Sequence, residues 1–118
     1  MHDEQFHIKE HVIGFVAYLQ AQQNFTAKKA DDYFHEVDCF LDFVYEEFGI
    51  INLTDISKAM VNSRYKAFQI SHADISNYDR SRMPLRMFFL YLHFNRGISN
   101  VLVLKALCFK YQLKEIGL

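Results

Sequence analysis

A chain of 118 residues with 51% apolar and 16% aromatic content builds one core and has no room for a second. Its formal net charge of -1 singles out no partner, and no apolar run reaches the roughly 18 residues of a membrane span, so no membrane partner is expected. The acidic opening Met1-His-Asp-Glu-Gln5 is unlike a secretory leader, and Cys39 and Cys108, alone in helix-like surroundings, read as free thiols; a cytoplasmic setting follows.

The even total conceals a division. Residues 1–55 hold three lysines against eleven carboxylates, a net of -8, whereas residues 56–118 hold ten Lys and Arg against Asp74, Asp79 and Glu115, a net of +7. Such a layout implies an acidic and a basic face; the two either attract each other within the fold or leave the basic one for phosphate.

Taken in order, the first predicted helix covers about Asp3 to Gln22. Phe6, Val12, Phe15, Val16 and Leu19 recur at helical steps, and Gly14 inside it marks a close contact. Thr26 caps a second helix whose stripe is Tyr33, Phe34, Val37, Phe40, Leu41, Val44, Tyr45 and Phe48. Its opposite face carries Asp31, Asp32, Glu36, Asp38, Asp42, Glu46 and Glu47, and Gly49 stops it. Thr54 or Asp55 starts a third helix that runs to about Phe68, with Ile56, Met60, Tyr65 and Phe68 inward and Lys58, Arg64 and Lys66 outward.

A polar break over Gln69–Asn77 leads into a fourth helix, about Asp74 to Asn95. From Leu85 to Phe94 nearly every position is apolar, which places this helix in the middle of the bundle. Arg80, Arg82 and Arg86 crowd its N-terminal side, Pro84 forces a kink or a fresh start, and Gly97 closes it. Ser99 or Asn100 caps a fifth helix to about Leu113. That helix has two apolar stripes, and the second, Leu102, Phe109, Leu113 and Ile116, implies either deep burial or a surface awaiting a partner, such as a second copy in a homodimer. With no alternating strand pattern, the expected fold is all-α, a single domain of about five helices over residues 1–118.

Catalytic signals are sparse. His7-Ile-Lys-Glu-His11 spells H-x-x-E-H, a metalloprotease zinc motif, and on a helix the two histidines share a face. Catalytic zinc needs a third protein ligand, and none is distinctive, so these read as surface histidines. Cys39 and Cys108 lie on apolar stripes as inert fillers, and the four glycines are isolated, with no phosphate-cradling loop. The chain is expected to be no enzyme and to need no cofactor or metal.

The order of segments resembles the N-terminal core-binding (SAM-like) domain of tyrosine recombinases, the phage-integrase family. The residues that carry the likeness are the aromatic run Tyr33 to Phe48, the connection Ile51-Asn-Leu-Thr-Asp-Ile56, the helix Leu85-Arg-Met-Phe-Phe-Leu-Tyr-Leu92 and the closing Gly97-Ile98, over about residues 15–100. The resemblance implies a non-catalytic module that binds double-stranded DNA in recombination, as part of a mobile element. The family's catalytic domain is absent, so an excised or stand-alone module is expected. Two departures stand out: Ser99-Asn100-Val101 leads into an extra C-terminal helix instead of an open linker, and the second helix carries seven carboxylates, which phosphate would repel. DNA contact would therefore fall to Lys58, Arg64, Lys66, Arg80, Arg82 and Arg86. The alternative is a protein-interaction or regulatory module, using the acidic second helix and the apolar tail, that pairs with a full-length recombinase or repressor.

Overall fold

The computed structural model describes the backbone of residues 2–64 and 75–118 and the side chains of residues 9–64 and 82–118. Among these residues the fold is an all-helical bundle. Helix α1 spans His2–Gln22, α2 Ala27–Phe48, α4 Ile75–Tyr91, α5 Val101–Leu107 and α6 Lys110–Glu115. Helix α3 begins at 58 and is described to 64, after a 3-10 turn at Leu53–Asp55. A five-residue π turn, Leu92–Arg96, extends α4.

The helix ends follow from local chemistry. The Thr26 hydroxyl accepts the Lys29 N–H at 3.1 Å and opens α2. Gly49, at φ 67°, closes it by donating to Tyr45, while Ile50 donates to Val44, so two otherwise open carbonyls are answered. Ser57, not Thr54 or Asp55, caps α3 through the Met60 N–H, because Thr54 and Asp55 are used in the 3-10 turn that Asn52 caps. Helix α4 runs through Pro84 with no fresh start.

The core lies where α2 crosses α1 and α4 and where α5 lies on α4. Val12, Phe15 and Leu19 meet Val37, Phe40 and Val44, and both meet Leu85, Phe88, Phe89 and Leu92. Phe15 and Phe88 are edge-on at 5.3 Å between ring centres, and Phe88 and Phe89 at 5.6 Å, the arrangement that ring quadrupoles favour. Lys9 ties α1 to α2 by donating to Asp38 and, at 2.8 Å, to Asp42. Burial alone would depress its ammonium pKa; the hydrogen bonds and charges of the two carboxylates outweigh that and raise it. Two carboxylates of the acidic α2 face are thus structural.

Asn100 joins two segments, α5 and the turn after α2. Buried at 7% exposure, it caps α5 by accepting the Val103 N–H, while its amide nitrogen donates to Leu53 and Ile56 carbonyls at 3.0 and 2.8 Å. Gly14 marks the expected close approach: a Cβ there would stand 2.6 Å from the Tyr91 hydroxyl.

Two further expectations needed correction. The apolar run of α4 is not buried throughout, since Phe94 is 65% exposed where the π turn re-aims it. Cys39 is exposed, on the solvent side of α2, and Cys108 is half-buried; both are free thiols. The expected inward positions Phe6, Tyr65 and Phe68 and the polar break over 69–74 lie outside what the structure describes.

Phe88→Ala is expected to lose about 3–5 kcal/mol in urea unfolding, as a fully buried ring should. Gly14→Ala should cost about 1–3 kcal/mol through overpacking against the Tyr91 hydroxyl. Adding Tyr91→Phe leaves the ring carbon at 3.7 Å, an ordinary contact, so the double variant should recover most of that loss. Failure of this rescue in thermal melts would misplace α1 against α4.

Candidate binding groove

Among the described residues, the four cations expected to meet DNA do not share one surface. Lys58 is exposed at the start of α3, and Arg64 is half-buried with its guanidinium 5.9 Å from the Phe43 ring centre. Lys66 and the side chain of Arg80 lie outside the described residues. Arg82 and Arg86 turn inward. Arg82 donates through Nη2 to the Ala106 carbonyl, and Arg86, only 6% exposed, donates through Nε to the Leu107 carbonyl at 2.7 Å.

The cause is the end of α5. The last carbonyls of a helix lack partners within it and carry its negative dipole end. Cys108 donates to Leu104, and the chain then turns extended at Cys108 and Phe109, leaving Ala106 and Leu107 open. The two arginines, one helical turn apart on α4, reach them. The guanidinium of Arg86 also lies 4.4 Å from the Phe109 ring centre, within cation–π range. The expected free cationic tip of α4 is therefore corrected at two of its three arginines. Burial pushes both the Tyr33 hydroxyl and the Cys108 thiol up in pKa, and the charge of Arg86 draws each back.

The expected partner surface is also rearranged. The fifth helix is two, because the chain turns extended between them; Gln112 accepts the Phe109 N–H at 2.9 Å and starts α6 afresh. Leu102 stays on α5 at 68% exposure and Phe109 sits at the break at 48%, while Leu113 and Ile116 pack against the core. The four do not form one stripe.

A different apolar surface takes its place. On α4 and its π turn, Met83, Met87, Leu90 and Phe94 follow one another at steps of four, three and four, the spacing of a helix seam. Met83 and Phe94 are 37% and 65% exposed, and Met87 and Leu90 are half-buried. They form one wall of a groove of about 440 Å³. The far side is Phe109, Tyr111 and Gln112, with Tyr18 and Gln23 from α1 and its end, and the buried Arg86 also contributes to the lining. Phe109 and Tyr111 are stacked, 5.9 Å apart and 10° from parallel. Sequence reading missed this groove because a helix apolar on every side offered no reason to single out one seam.

Two other hollows lie elsewhere on the bundle. One, of about 450 Å³, lies between α1 and α2 around Ile13, Ala17 and Phe34; the other, of about 310 Å³, surrounds Gly14 and Arg96. His11 accepts from Arg96 Nε at 3.2 Å through Nδ1, a contact that occupies one ring nitrogen of the histidine motif. Among the described residues no group of three or more His, Cys, Asp or Glu is gathered to hold a metal, and no helix is long and apolar enough to cross a membrane.

No family model, curated protein or solved structure matches the chain.

Arg86→Met should leave the Leu107 carbonyl unanswered and cost about 2 kcal/mol in urea unfolding. It should also speed protease cleavage near residues 107–110, as α6 loses its anchor. Arg86→Lys keeps charge without the fork and should fall between. Unchanged cleavage in both variants would mean that the arginine does not hold α6.

Proposed function

We propose that this chain is a non-catalytic interaction module that receives a segment of another protein in the groove between α4 and α6. The observation that carries the reading is the partly exposed seam Met83–Met87–Leu90–Phe94 on the helix that otherwise forms the centre of the core. Grooves of this kind take the apolar face of a partner helix through anchors at i, i+3 or i+4, and i+7. Methionine side chains adapt to differing partners at little cost, which suits two of the four seam positions. The facing Phe109 and Tyr111 add flat, rigid contact area of the sort that anchors interfaces.

Duplex DNA is the second reading. It is supported by the segregation of positive charge into residues 56–118 and by the integrase-like order of segments. Among the described residues of the basic half, the exposed cations are Lys58, Arg96, Lys105, Lys110 and Lys114. With Arg82 and Arg86 spent on α5, that surface is thinner than the one expected from sequence.

Helical peptides selected from a display library against the protein should bind with affinities around micromolar, a strength typical of transient recognition. Met83→Glu with Phe94→Glu should abolish that binding with little change in melting temperature, since both side chains are exposed. Selected peptides that bind the double variant as well as the parent would remove the groove from consideration. Retention on duplex DNA at low salt, weakened by Lys110→Glu with Lys114→Glu and indifferent to the groove variant, would favour the second reading.

A further inference from the structure

We propose that the occupant of this groove is an acidic amphipathic helix of a partner protein, about three turns long. The inference rests on the groove being a protein-binding site and adds the chemistry of what fills it.

Length comes from the seam. Met83 to Phe94 is eleven steps, about 16 Å at helical rise, which matches three turns of a facing helix with apolar residues at i, i+3 or i+4, i+7 and i+11. Charge comes from the segment that builds both principal walls. Residues 75–118, from the start of α4 onward, carry seven Lys and Arg against Asp79 and Glu115, a net of +5. Among the described residues the only charged side chain in the lining is Arg86, and the third side, Tyr18 and Gln23, is neutral. Lys105, Lys110 and Lys114 are exposed on the two helices after α4. Among the described residues, Asp38 and Asp42 are engaged by Lys9 between α1 and α2, Asp31 borders the hollow between those helices, and Glu115 is the one carboxylate side chain on α6. A partner with glutamates or aspartates flanking its apolar anchors would be drawn in by this field, and one flanked by lysines would be turned away.

The test uses three synthetic helical peptides with the same leucine and phenylalanine anchors, flanked by Glu, by Gln or by Lys, titrated onto the whole chain by fluorescence anisotropy. The Glu peptide should bind about tenfold tighter than the Gln peptide, the Lys peptide should bind weakest, and raising salt should narrow the spread. Lys110→Glu with Lys114→Glu should cut the Glu preference several-fold and leave the Gln peptide unchanged. Equal binding of all three peptides overturns the acidic partner while leaving the groove reading intact; binding by none overturns both. Concentration-dependent self-association in light scattering, abolished by Phe94→Glu, would assign the groove to a second copy and overturn the proposal.

Discussion

The two guanidinium groups that α4 sends into the end of α5 set the terms for the rest of the fold. A seven-residue helix is too short to hold itself together in water and gains its order from packing. Its last carbonyls, facing protein, need donors. Arg82 and Arg86 supply them from a helix already fixed by Phe88, Phe89 and Leu92, so α5 is positioned by both apolar contact and directed hydrogen bonds. The same arginine then lies against Phe109 and fixes where the chain leaves α5. From that point α6 begins, and with it the far wall of the groove. Core, tail and candidate site are thus linked through a single pair of side chains.

Much of the bundle was legible from residue order. The α2 stripe, its threonine cap and its glycine stop follow from periodicity and from φ preferences that only glycine meets cheaply, and the structure has all three. Gly14 was legible as a close approach because glycine in a helix interior is costly without a reason. The break between α5 and α6 was not legible. Val101 to Leu113 keeps a helical period throughout and contains no proline or glycine. What interrupts it is a tertiary event, an arginine from 21 residues upstream accepted by the Leu107 carbonyl, and local periodicity carries no record of it.

The candidate site divides in the same way. That Arg80, Arg82 and Arg86 form a group was plain in the sequence; which way they point was not. Free arginines and arginines that cap a neighbouring helix look alike as letters, and the difference appears only when the short helix and its open carbonyls are placed beside them. The seam Met83, Met87, Leu90 and Phe94 was present as a spacing, yet it was masked by equally apolar residues between its members. Burial separates the two sets: Phe88, Phe89 and Leu92 turn to the core, and Phe94 is left in water.

Asn100 sets a different kind of limit on this fold. Its amide nitrogen faces two carbonyl oxygens, from Leu53 and Ile56, and its oxygen faces the Val103 N–H. Exchange of that nitrogen for an oxygen, as in Asn100→Asp, would alter neither volume nor outline. It would nevertheless set oxygen against oxygen twice in a place water hardly enters. The junction of α5 with the loop after α2 therefore depends on the identity of one atom, and its exchange would unfasten two segments that a perfect fit of shape could not keep together.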